Sequence, residues 1–234
     1  MKSVRMVYHI TARSGVLVGS TADVLSIGID KTTMRRRRVG ELEQQAPLIP
    51  GSTLKGKLRH ECERILSRLG CEVCHSPRAE TMCPHDVQVK NPPCPVCQIF
   101  GGSGLPGRLF FSDALAEAGE GIAPYLTRVQ AGVALSRKRQ VAEDERLYYI
   151  ERGIERIMYK GMIDGYLDDV LADQQLALIM VAIERLFAIG GGKSRGSGWI
   201  SATITNITVD GKEMSKAELE RIRQEGLRSW RESK

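Results

Sequence analysis

Five of the six cysteines in this 234-residue chain fall in one stretch, from Cys71 to Cys97. That bunching limits the fold more than any other feature. A disulfide framework spreads its cysteines through a small secreted chain. Here they crowd one Cys- and Pro-rich insert, residues 71–98, and Met1-Lys2-Ser3 leads into a strand-like alternation rather than a secretory signal. Cys71-x2-Cys74, Cys83, His85 and Cys94-x2-Cys97 offer six donors where tetrahedral zinc takes four. The insert is poor in apolar residues, so metal binding would have to supply its folding energy. Cys94 and Cys97 are the firm half of the ligand set, and the other half stays open. Four protein ligands close a zinc site, which makes it structural rather than catalytic. Cys62 falls on the apolar face of a helix and belongs to the core.

The elements around the insert alternate. Val4, Met6, Tyr8 and Ile10 recur at period two, which predicts a half-buried strand. Residues 15–45 lack periodicity and read mostly as loop. Leu54, Leu58, Cys62, Ile65, Leu66 and Leu69 recur at helical spacing after Pro50-Gly51-Ser52, and Gly70 closes that helix. Arg108–Ser112 predicts a short strand, residues 124–150 a long hairpin or extended lobe, and 154–163 a further strand. Leu167–Ala188 is the strongest predicted helix, with Asp168, Asp169 and Asp173 at its N-terminal end. A last strand runs from Trp199. Strand, helix, strand, lobe, strand, helix, strand fits an α+β layer with a ferredoxin-like outline. The longest apolar run, Leu176–Ile183, is far short of the roughly 20 residues that span a bilayer. A membrane protein and a disordered chain are excluded, and a cytoplasmic location is expected.

Charge points to a partner. Lys and Arg number 34 against 28 Asp and Glu, a net of +6, which suits a polyanion. The basic residues cluster: Arg35–Arg38, Arg137-Lys138-Arg139, and Lys193 with Arg195 inside a glycine run. Gly51-Ser-Thr-Leu-Lys-Gly56-Lys57 nearly spells a nucleotide-binding P-loop, but Leu58 stands where the magnesium-holding hydroxyl belongs. What remains is a helix N-terminus with free N–H groups beside Ser52, Thr53, Lys55, Lys57 and Arg59, which suits phosphate. Gly102-Ser-Gly104-Leu-Pro-Gly107 matches GxGxxG but precedes a strand, so it reads as a turn. Gly190–Gly198 holds seven glycines and serines in nine residues, so its backbone can approach a ligand closely while Lys193, Ser194 and Arg195 bring polar and charged groups. No His–carboxylate pair or nucleophile elbow stands out, and Asp30 is a single loop carboxylate.

Four segments occur in one order: Leu48-Ile-Pro-Gly-Ser-Thr-Leu-Lys-Gly-Lys-Leu-Arg59, Cys97-Gln-Ile-Phe-Gly-Gly102, Gly107-Arg-Leu-Phe-Phe-Ser-Asp113 and Gly191-Gly-Lys-Ser-Arg-Gly-Ser-Gly-Trp199. Together they resemble the RAMP (repeat-associated mysterious protein) superfamily, above all the backbone subunit of type III CRISPR–Cas effector complexes. The likeness covers about Val4 to Val209. It implies a modified RNA-recognition-motif fold in residues 1–209, with a zinc-binding insert, a thumb-like hairpin at about 124–150, and a charged C-terminal helix or tail at 210–234. It also implies head-to-tail assembly with other copies or related subunits along a CRISPR RNA. By that resemblance Ser52, Thr53, Lys55, Lys57, Arg59, Lys193, Ser194 and Arg195 contact guide backbone, while Arg137, Lys138 and Arg139 lie on the thumb. The zinc ligands become Cys74, Cys83, Cys94 and Cys97, with Cys71 and His85 in reserve. Gly28-Ile29-Asp30 looks like the position whose aspartate enables Mg²⁺- or Mn²⁺-dependent cleavage of complementary target RNA. An inactive guide-binding scaffold is the alternative. A guide-processing nuclease ranks last, because the catalytic histidine expected of one would have to come from His9, His60, His75 and His85.

Overall fold

The computed structural model describes residues 1–19, 28–35, 46–83, 93–117 and 122–232. In chain order the elements are β1 (Lys2–Ala12), β2 (Leu48–Ile49), α1 (Gly51–Leu69), α2 (Pro95–Phe100), β3 (Leu109–Phe111), β4 (Ala114–Ala116), β5 (Thr127–Leu135), β6 (Ala142–Gly153), β7 (Met158–Leu167), α3 (Ala172–Glu184), β8 (Ile200–Val209), β9 (Lys212–Glu213) and α4 (Lys216–Glu232). The protein is a mixed α+β structure with an antiparallel sheet and four helices among the described residues.

β1 lies inside the sheet, antiparallel to β7 on one side and to β8 on the other. The strand order is β2-β4-β7-β1-β8-β9, and β3 also pairs with β7. Val4, Met6, Tyr8, Ile10 and Ala12 point to one face of β1 and are buried, as the period-two pattern requires. Tyr8 needs space across the sheet. Its register partner is Gly161, where an added Cβ would sit 2.4 Å from the Tyr8 hydroxyl.

The helices lie against that buried face. α1 buries Leu54, Leu58, Cys62, Ile65 and Leu66, and Gly70 ends it in a left-handed conformation, its N–H returning to the carbonyls of Leu66 and Ser67. α3 is apolar almost all round, because α4 covers the side turned away from the sheet. Gly226 allows that close crossing, since a Cβ there would meet Ala177 at 2.6 Å, and the Trp230 indole donates to the Gln174 carbonyl.

Some bounds differ from their sequence expectations: the strand expected at 154–163 runs over Met158–Leu167, and the helix expected to reach Ala188 ends at Glu184. The helix predicted from Leu167 begins at Ala172. Leu167 ends β7, and the Asp168 carboxylate accepts the N–H groups of Val170 and Leu171, which makes residues 168–171 a turn. Local side-chain hydrogen bonding there competes with helix formation.

β5 and β6 form a separate two-stranded hairpin joined through residues 136–141. No helix among the described residues is long and apolar enough to cross a membrane.

Candidate nucleic-acid interface and cysteine cluster

The start of α1 is built by a distant residue. Pro50 occupies the N-cap position and offers no side-chain cap. Instead the Asp113 carboxylate, from the link between β3 and β4, accepts the Gly51 N–H at 2.8 Å. Gly51 has to be glycine, since a Cβ would lie 2.3 Å from the Phe111 carbonyl oxygen. Asp113 thus occupies one of the amides expected to be free, that of Gly51, and partly offsets the positive end of the helix. Ser52 is exposed, while Thr53, Lys55 and Lys57 are half-buried on the same turns.

Lys57 meets Lys193 there. Contact with the Lys193 ammonium, aided by partial burial, lowers the Lys57 pKa to about 8. Lys55 lies over Gly107, its Nζ 3.0 Å from where a Cβ on that glycine would be. None of these three lysines forms an ion pair with a carboxylate among the described residues. Glu61 draws the Lys57 pKa upward without cancelling the effect of Lys193, so the two adjacent ammonium groups repel each other, and a phosphate between them relieves that repulsion.

The glycine-rich loop holds Lys193 in place through its backbone. Gly190, Gly192, Gly196 and Gly198 all adopt positive φ. Two of them also lack room for a side chain: a Cβ on Gly190 would lie 2.1 Å from the Leu17 carbonyl oxygen, and one on Gly198 would lie 2.0 Å from that of Ile189. Lys193–Arg195 form a single 3₁₀ turn with Lys193, Ser194 and Arg195 exposed. Ser197 is buried behind the turn, and its hydroxyl has no hydrogen-bond partner among the described residues.

Asp30 lies beside the hairpin. Its N–H donates to the Tyr149 carbonyl at 3.0 Å, and its Oδ2 accepts the Tyr149 N–H at 2.6 Å. Lys31 continues this edge as a parallel bridge to Ile150. A buried carboxylate that sequence reasoning does not single out, Glu151, ties the same segment down: it pairs with Arg35 and accepts from Thr127 Oγ1 at 2.9 Å and from the Thr33 N–H at 3.2 Å. Arg35, the first residue of the arginine run, is thus held inside the protein, and Arg36–Arg38 lie outside the described residues. At the hairpin tip Arg137 and Lys138 are exposed, while Arg139 pairs with Glu143 at 2.8 Å.

The cysteine cluster assembles from three segments. The sulfurs of Cys74, Cys83, Cys94 and Cys97 all lie within 4.8 Å of one another, with Cys74 to Cys97 at 3.2 Å and Cys94 to Cys74 at 3.6 Å. A tetrahedral zinc with bonds near 2.3 Å separates its sulfurs by about 3.8 Å, so the four fit that ion. All six cysteines are free thiols. A hydrogen bond with Cys97 pulls Cys94 down to about 4, as expected where several thiols crowd one point. Cys71 stands apart, its thiol donating to the Trp230 carbonyl, and Cys62 is buried in the core. His85 lies outside the described residues.

Arg59 belongs with the cysteines rather than with the lysines. Its guanidinium reaches Cys97 Sγ at 3.2 Å, the Gly101 carbonyl at 2.7 Å and Glu63 at 3.0 Å, leaving the side chain 13% exposed. It faces the sulfurs. Four thiolates around a divalent ion would carry a net negative charge, which Arg59 would offset. The helical spacing that puts Lys55 and Arg59 on neighbouring turns gives no sign of this, because the cluster is created by chain segments far from α1.

A comparison with curated proteins finds no match. The family model of the RAMP superfamily matches residues 9–201, from the later part of β1 to the start of β8, and so takes in α1, the cysteine cluster, the hairpin and the glycine-rich loop. The chain belongs to the RAMP superfamily.

Proposed function

We propose that this chain is a CRISPR-RNA-binding backbone subunit of a type III effector complex. The observation that carries the reading is the meeting of Lys57 and Lys193, one on α1 and the other in the glycine-rich loop, with no carboxylate paired to either among the described residues. A site of that kind takes backbone phosphate whatever the base sequence, which is what a subunit repeated along a guide requires. Membership of the RAMP superfamily suggests a CRISPR-associated RNA-binding role. The central order β8-β1-β7, with β3 and β4 pairing the far side of β7, supports a ferredoxin-like, modified RNA-recognition-motif core. The β5–β6 hairpin is the thumb in this reading, and Cys74, Cys83, Cys94 and Cys97 hold a structural zinc. Partners are CRISPR RNA, complementary target RNA, and copies of this subunit or its relatives.

Cleavage of target RNA is assigned to Asp30, with Mg²⁺ or Mn²⁺ supplying charge neutralisation at the scissile phosphate. The reaction is attack of a ribose 2′-hydroxyl on the adjacent 3′-phosphate, with expulsion of the 5′-oxygen. Asp30 is exposed, and the backbone of Tyr149 orients its carboxylate. That same hydrogen bond favours a second reading, an inactive scaffold in which Asp30 only anchors the loop to the hairpin.

Co-expression with its operon neighbours, followed by sequencing of the RNA that co-purifies, tests the binding role. Guide RNA of uniform repeat-derived ends is expected with the wild type, and Lys57→Gln with Lys193→Gln should lose it. A wild-type complex that forms without RNA would refute the proposal.

A further inference from the structure

The two faces of the β5–β6 hairpin differ in chemistry. Val129, Val133, Leu147 and Tyr149 share one face. At the base of the other, Arg128 stands directly opposite Arg152 across the strand pair. Like charges in directly opposed positions destabilise an antiparallel pair. Neither arginine has an acidic partner among the described residues, and the Nε of Arg152 is buried with no acceptor among them. The nearest buried acid does not help: Glu151, one residue away, points to the opposite face and is occupied by Arg35, Thr127 and Thr33.

The place of this pair matters as much as its charge. The stem of Arg152 crosses Gly15, where an added Cβ would be 3.6 Å from its Cβ and Cδ. The Gly15 carbonyl in turn accepts the Gly198 N–H at 2.9 Å, from the end of the glycine-rich loop that carries Lys193. Further up the same hairpin face, the Tyr148 ring lies so close over Gly132 that a Cβ would be 2.3 Å away. Two guanidinium groups without an acidic partner, tied through Gly15 to the end of the glycine-rich loop and with an aromatic ring further along the hairpin, have the make-up of a single-stranded RNA contact.

We infer that Arg128 and Arg152 grip backbone phosphate of the RNA strand that crosses the glycine-rich loop, carrying it from Lys57 and Lys193 onto the base of the hairpin. This rests on the RNA-binding reading above. A bound phosphate supplies the acceptor that the Arg152 Nε lacks and the counter-charge that the cross-strand pair lacks.

The test uses the full chain and a fluorescently labelled single-stranded RNA, titrated over a salt series. In Arg128→Gln/Arg152→Gln binding should weaken, and the slope of log affinity against log salt should become shallower by about 0.7 for each phosphate no longer neutralised. Arg128→Lys/Arg152→Lys should keep the slope. Arg128 is exposed, so Arg128→Gln alone should leave the melting temperature unchanged or raised while still reducing the slope. Unchanged affinity and slope in folded Arg128→Gln and in the double glutamine variant, while Lys57→Gln/Lys193→Gln loses affinity, would overturn this inference alone. Absence of RNA binding by the wild type would overturn the reading beneath it as well.

Discussion

The lowered pKa of Lys57 makes RNA binding pH-dependent in a way that can be worked out in advance. In the free protein, contact with Lys193 brings Lys57 to about 8, against 10.5 for an ordinary lysine. The unfolded chain therefore binds more protons between about pH 8 and 10.5, and the free protein gains stability as pH rises through that window. A phosphate beside the two lysines favours the ammonium form and pushes the pKa back up. Above pH 8, binding must then take up a proton. With a free-state value of about 8, Lys57 is roughly nine-tenths charged at pH 7 and one-eleventh charged at pH 9, so affinity should fall roughly tenfold between the two. Fluorescence anisotropy with an oligoadenylate at constant ionic strength measures this, since adenine does not titrate in that range. Lys57→Arg/Lys193→Arg keeps both charges throughout, and its affinity should stay level from about pH 7 to 9. Equal pH dependence in wild type and Lys57→Arg/Lys193→Arg would refute the reasoning.

The cysteine cluster and Asp30 each give a further test. Metal analysis of protein purified without added zinc should approach one zinc per chain, Cys97→Ser should lower that content and the melting temperature together, and a metal-free, well-folded wild type would remove the zinc assignment. Cys71→Ser should leave zinc content unchanged, because that thiol points to α4. Asp30→Asn keeps an acceptor for the Tyr149 N–H and should abolish cutting of end-labelled target RNA in Mg²⁺ or Mn²⁺ while guide and target still bind. Cutting at the wild-type rate by Asp30→Asn would move the chemistry elsewhere, and a wild type that does not cut would leave the scaffold reading.

Periodicity makes the main frame legible. Val4 to Ile10 alternates because one face of β1 meets helices, and Leu54 to Leu66 repeats at helical spacing because one stripe of α1 meets the sheet. Both patterns reflect burial of a single face, which local sequence records directly. The cysteine insert is also readable, since metal-ligand spacing is a local property. Cys71 is ambiguous for the same reason: its spacing from Cys74 imitates a ligand pair, and only the approach of α4 from the far end of the chain diverts it to the Trp230 carbonyl.

Long-range contacts decide the rest. Asp113 closes the α1 terminus, Arg59 turns to the sulfurs, Glu151 takes Arg35 inside, and Lys57 meets Lys193. Each joins residues far apart in the chain, and a charged side chain carries the same letter whether it ends in solvent, against a carboxylate or beside another cation. The basic character, the glycine-rich loop and the cysteine insert are determined by the sequence itself. Which of those cations stay out of ion pairs is set by where the folded chain puts its few buried acids.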